Sequence, residues 1–158
     1  MNVHSWLVWG FAATLLMTTI SAGAQGVGLT RMNLPFLLGS MMTPDRDKAK
    51  VIGFLVHVAG GWLFSLIYVF IFESLGAAGW WQGMAIGLLH GLFVLVAIMS
   101  LMPSLHPRMA SEQHGPEAGN LLEPPGFMAL NYGTHTPFAV MLSHLVFGLV
   151  MGAFYQVK

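Results

Sequence analysis

The chain has no cysteine, and only 8% of its 158 residues carry charge. The first absence removes disulfides, thiolate metal sites and cysteine-based catalysis, and it leaves the redox compartment unread. The second does not suit a soluble domain, in which about a quarter of residues are charged. Formal net charge is zero, so the basic field that nucleic-acid binding needs is missing. No Gly-rich phosphate loop, His-Glu-x-x-His pattern or nucleophile elbow is present. Hydrolase and phosphotransferase chemistry therefore have no support, and no catalytic residue is assigned. What fills the chain instead is apolar: 56% of residues are hydrophobic and the mean hydropathy is +0.71. This is the composition of an integral membrane protein.

Four apolar stretches approach or exceed the ~20 residues that a bilayer crossing takes. They predict an all-α membrane four-helix bundle in one domain, with spans near residues 5–28, 51–72, 80–102 and 138–155. The first resembles a signal peptide, because Ala22-Gly23-Ala24 mimics a cleavage site. It lacks the basic start of a secretory signal and is read as a membrane helix. Along it Thr14, Thr18, Ser21 and Gln25 form one weakly polar stripe, expected to hydrogen-bond to its own backbone or to the next helix. The loop 29–50 holds Arg31, Arg46, Lys48 and Lys50, four of the six Lys and Arg. By the positive-inside rule that loop and the loop 103–137 are cytoplasmic, and the N-terminus is outside.

Within the first loop, Asn33 is expected to cap a short interfacial or re-entrant helix. Thr43-Pro44 is expected to supply an N-cap and a first-turn proline for the second span. The second loop is rich in proline and carries His106, His114 and His135, whose spacing suits no metal, so all three are read as solvated. Its piece from Leu121 to Leu130 is apolar enough to lie on a surface of membrane or protein.

Two stretches share the spacing His-x3-Gly-x6-Tyr: His57, Gly61 and Tyr68, and His144, Gly148 and Tyr155. On a helix these positions fall within about 40° of each other, so each copy is one stripe. The first and third spans also correspond, Gly10-Phe-Ala-Ala-Thr-Leu-Leu-Met17 matching Gly83-Met-Ala-Ile-Gly-Leu-Leu-His90. The chain thus reads as two helical hairpins in parallel orientation. In this alignment Met17 stands where His90 stands. Gly83, Gly87 and Gly91 repeat every fourth residue, and with Gly61, Gly148 and Gly152 they are the expected helix-packing positions.

His57 and His144 each fall about 10 Å from the cytoplasmic end of their spans. Level imidazoles on parallel helices are what a haem b or a copper site needs, with His90 and Met17 as further metal-ligating candidates. A duplicated packing motif would produce the same pattern. No carboxylate within the spans is placed to orient the rings.

The glycine-rich first span, the two His-x3-Gly helices, the third span with its glycine stripe and central His90, and His106-Pro107 in the loop together resemble a family of small four-span bacterial membrane proteins of unknown function. The resemblance implies a helical bundle in the bacterial inner membrane, and it transfers no catalytic residue. Three functions are therefore expected in order. The first is a non-catalytic structural or accessory subunit of a larger membrane complex, such as a respiratory, photosynthetic or other oxidoreductase assembly, or of a homo-oligomer. The second is a haem- or copper-binding electron carrier through His57 and His144. The third, a small transporter, has less behind it, because the spans lack acidic or broken-helix ion sites. Membrane lipid is the common partner of all three.

Overall fold

A computed structural model describes residues 1–111 and 122–158. Six α-helices make up most of it: α1 (Val3–Gly26), α2 (Leu34–Ser40), α3 (Arg46–Leu75), α4 (Trp80–Phe93), α5 (Met99–Leu105) and α6 (Thr136–Phe154). A π-turn, Val94–Ile98, joins α4 to α5, so that Trp80–Leu105 is one span. Among the described residues four helices, α1, α3, the α4–α5 span and α6, are long and apolar enough to cross a membrane. The all-α expectation is met.

The packing order follows from where side chains are small. α6 lies against both α1 and α4, while α1 lies against α3. Half of the apolar stretch of α6 is buried, against 22–28% in the other spans, which makes it the central helix. Between α4 and α6 the backbones touch. A Cβ added at Gly83 would run into the Gly148 carbonyl, one at Gly87 into the His144 carbonyl, and one at Gly152 into the Gly79 carbonyl. Lipid offers no hydrophobic drive for helix association, so such close packing substitutes for it. Gly61 of α3 approaches Thr14 of α1 less closely, side chain to backbone.

The π-turn has a geometric reason. Residues at every fourth position drift about 40° per step around an α-helix, so Gly83, Gly87, Gly91, Leu95 and Met99 would spiral off one face. One wider turn takes up the drift. Leu95 and Met99 accordingly remain buried, in line with the glycines.

At one end of the bundle α2 is pressed onto α3. A Cβ at Gly39 would overlap the Ala49 carbonyl, and one at Gly53 the Pro35 carbonyl. The expected cap is present, Asn33 Oδ1 accepting from Phe36 N at 2.9 Å. The expected cap of the next helix is corrected. Asp45, and not Thr43, is the N-cap of α3, its carboxylate accepting from Asp47 N and Lys48 N at 3.0 Å each. Thr43 accepts from Asp45 N instead. A carboxylate cap at the positive end of the helix dipole outcompetes a hydroxyl, and α3 consequently begins at Arg46.

The same end carries the described parts of the second loop, 106–111 and 122–135. Arg31 N donates to the Tyr132 carbonyl at 2.7 Å, and the Thr30 and Thr136 hydroxyls share a 2.7 Å hydrogen bond. The apolar piece, from Leu122 onward, folds onto the protein: Leu122 pairs with Met109 and Ala129 is buried. Leu121 lies outside the described residues. Met128 and Ala129 have φ of 52° and 58°, a region costly for non-glycine residues. Asn131 Nδ2 donating to Pro124 O at 2.9 Å and Tyr132 OH donating to Glu123 O at 2.7 Å hold that turn.

Glycine substitutions separate contact from propensity. Gly87→Ala is expected to cost about 1–3 kcal/mol through overpacking. Gly60→Ala, where an added Cβ meets nothing within 4 Å, is expected to stabilise α3 by about 0.5–1 kcal/mol. Reversible unfolding in mixed detergent reads both, and equal effects would refute the close contact.

Candidate functional site

The sequence-selected histidines lie inside the bundle, and each ring is fixed by a hydrogen bond. His57 is 9% exposed and His144 7%. The Thr18 hydroxyl donates to the Thr14 carbonyl at 2.7 Å. Its oxygen therefore accepts from His57 Nδ1, 3.2 Å away. His144 Nδ1 lies 2.8 Å from the Val140 carbonyl one turn back and must donate to it. Both neutral rings thus keep the hydrogen on Nδ1 and present an unprotonated Nε2. The groups that orient the two rings are a threonine hydroxyl and a helix carbonyl.

His57 and His144 line one small cavity of about 20 Å³. That volume takes about one water or one ion, and no porphyrin. Met17 of α1 and Met99 of α5 line it too, together with Met32 from the loop before α2. All three are buried, at 3%, 2% and 9% exposure. Thioether sulfur is a soft donor. Met32 and Met99 were not singled out in the sequence; their only signal there is the abundance of methionine, which any core filler would give.

His90 is one ring removed from this cavity. Its Nδ1 lies 3.1 Å from Tyr68 OH, its ring stacks on Phe64 at 5.0 Å, and it meets His144 edge to face at 4.7 Å between centroids. The structure therefore brings Met17, His57 and His144 together and sets His90 behind His144. Among the described residues no three His, Cys, Asp or Glu converge.

A wider vestibule of about 230 Å³ leads inward to His57 from the end of the bundle that carries α2. Thr18, Ser21 and Gln25, three members of the polar stripe of α1, line it beside Asn33 and Lys50. Ser21 donates to the Met17 carbonyl at 3.0 Å and Thr14 to the Gly10 carbonyl at 2.7 Å, so these hydroxyls are satisfied by their own helix. Vestibule and inner cavity share Ser21, Met32 and His57 in their walls.

One loop histidine corrects its solvated reading. His106 is fully buried, because His106-Pro107 turns the chain back onto α2 as α5 ends. Its Nδ1 accepts from Arg108 N at 3.1 Å, and its Nε2 donates to the Leu37 carbonyl at 3.0 Å with Ser40 Oγ at 3.2 Å. The Arg108 guanidinium donates to the Ser40 carbonyl. His135 is exposed, as read, and His114 lies outside the described residues.

Comparison with protein-family models, with curated proteins and with solved structures finds no match to this chain.

Burial, and then the Arg108 charge, hold the His106 pKa below the ordinary value of 6.5. Protonation would place a hydrogen on Nδ1, opposite the Arg108 N–H, and break the turn. A lowered folded-state pKa means that the unfolded loop binds the proton first. Docking is therefore complete above about pH 6.5 and weakens as pH falls below it. Amide exchange at Met109 and Ala110 should speed up between pH 7.5 and 5 beyond the intrinsic pH effect, and not in His106→Gln. Identical pH profiles in the two proteins would count against this.

Proposed function

We propose that this chain is a non-catalytic, structural or accessory subunit of a larger assembly in the bacterial inner membrane, with its N-terminus outside. The observation that carries the reading is an open cleft between α3 and α4. A turn of a few residues, with Gly76 in the left-handed conformation (φ 66°), joins these helices, yet their backbones do not pack together as those of α4 and α6 do. The gap is about 350 Å³, walled by Phe64, Ile67 and Ile71 on one side and Ile86, Leu89 and Phe93 on the other. Tyr68 and His90 meet at 3.1 Å across it. A bundle that served only itself would close this gap, because dispersion contacts are what hold helices together in lipid. Its apolar lining suits the side-chain ridge of a further transmembrane helix.

Orientation is supported by charge. Arg31, Arg46, Lys48 and Lys50 share one end with Arg108, five of the six Lys and Arg, and Lys158 lies at the other. An excess of basic residues marks the cytoplasmic side. The duplication is supported by register. His57 meets Thr18 and Gly61 meets Thr14, and in the second hairpin His144 meets Gly91 and Gly148 meets Gly87.

Filling the cleft tests the reading. Wild-type chain, tagged and extracted from its native membrane in mild detergent, is expected to carry a membrane partner or a second copy. Ile71→Trp with Leu89→Trp should reduce that recovery at least tenfold while leaving the melting temperature within a few degrees. Isolation of the wild type as a lone monomer, also after cross-linking in the membrane, would overturn it.

A further inference from the structure

The cavity between His57 and His144 has a composition that packing alone does not require. Two imidazoles with hydrogen-free Nε2 atoms and three buried methionines, drawn from α1, the loop before α2, α3, α5 and α6, line room for about one ion. We propose that this cavity is a binding site for a soft monovalent metal ion, Cu(I), with Met17, Met32 and Met99 thioethers and the His57 and His144 imidazoles as its donor set. The inference is independent of the cleft between α3 and α4.

These observations carry it. The donor chemistry is selective: thioether sulfur with imidazole favours Cu(I) over the harder divalent ions, which want carboxylate or carbonyl oxygen. No Asp or Glu lines the cavity, so a divalent ion would bring two uncompensated charges into lipid, whereas Cu(I) brings one. The rings are already oriented as metal-bound imidazoles are, each donating its other nitrogen to a fixed acceptor, Thr18 Oγ1 or the Val140 carbonyl. The vestibule adjoins the cavity, His57 and Met32 standing in the walls of both. Met32 stands on a loop at that junction, and its flexible side chain is suited to part and close. The π-turn that precedes Met99 sets this residue on the buried face, and such turns occur frequently at functional sites.

The test uses the full chain in phosphatidylglycerol–phosphatidylethanolamine nanodiscs under anaerobic conditions. Cu(I) is offered in competition with bicinchoninate, and Zn(II) is offered separately. One Cu(I) per chain is expected, with X-ray absorption showing both sulfur and nitrogen neighbours and with much weaker retention of Zn(II). Met17→Leu with Met99→Leu, which keeps volume and removes the sulfurs, should lower Cu(I) affinity at least tenfold. Thr18→Val, which frees the His57 ring, should lower it by about tenfold. If the double variant fails to fold, the single methionine variants and Thr18→Val carry the same expectation. Failure to hold Cu(I) against bicinchoninate would overturn the proposal and mark the cavity as a one-water void. So would binding that the methionine variants leave unchanged, or a neighbour shell of nitrogen alone.

Discussion

Everything in this bundle depends on the backbone contact between α4 and α6. Side chains cannot drive two helices together when the solvent is itself hydrocarbon, so attraction must come from surfaces that fit atom to atom. Gly83, Gly87, Gly148 and Gly152 supply such a surface, their Cα atoms facing the opposing carbonyls directly. The contact fixes the axial register of α6, and with it the height of His144. It also draws the His144 ring over Gly91, whose missing side chain leaves the space the imidazole fills.

The polar groups inside the membrane follow a second constraint, that each must find a partner within the protein. Threonines on α1 do this cheaply by donating to the carbonyl four residues back, as Thr14 and Thr18 do. That choice has a consequence beyond α1. A hydroxyl whose hydrogen is spent can only accept, and His57 is thereby forced into one tautomer. At the opposite end Tyr155 OH donates to Glu73 at 2.6 Å while accepting from Asn2 N at 2.9 Å, tying α1, α3 and α6 together. The second tyrosine of the repeated motif thus serves as a clasp, while the first, Tyr68, reaches His90.

The four long apolar helices were readable because they depend on length and composition, both written in the chain. The cap at Asn33 was readable for the same reason. The cap at Asp45 was misjudged because two adjacent candidates, Thr43 and Asp45, differ only in how strongly each competes for the helix dipole. His106 was misread as solvated because nothing local announces burial. Its partners, Leu37 and Ser40, lie far away in sequence, and only the fold of α2 onto α3 through Gly39 and Gly53 brings them near. Met32 and Met99 were invisible for a related reason, since a methionine that fills a gap and one that lines a site have the same neighbours in sequence.

The α1–α3 and α4–α6 interfaces differ in that threonine side chains line the first and glycines the second. Thr14 and Thr18 hold α1 off α3 by the width of a side chain, and they also offer hydroxyls to that interface. Gly87 lets the α4 and α6 backbones touch, and Gly91 leaves room for the His144 side chain between them. One interface therefore carries hydroxyls and side-chain contact, the other backbone contact, and the cavity is lined from α1, α3 and α6. Met17, Met32 and Met99 border that cavity with the most adaptable side chains available to a core. Adaptable methionine walls can therefore repack around the two hydrogen-bonded imidazoles without disturbing the glycine contact that holds α6 in register.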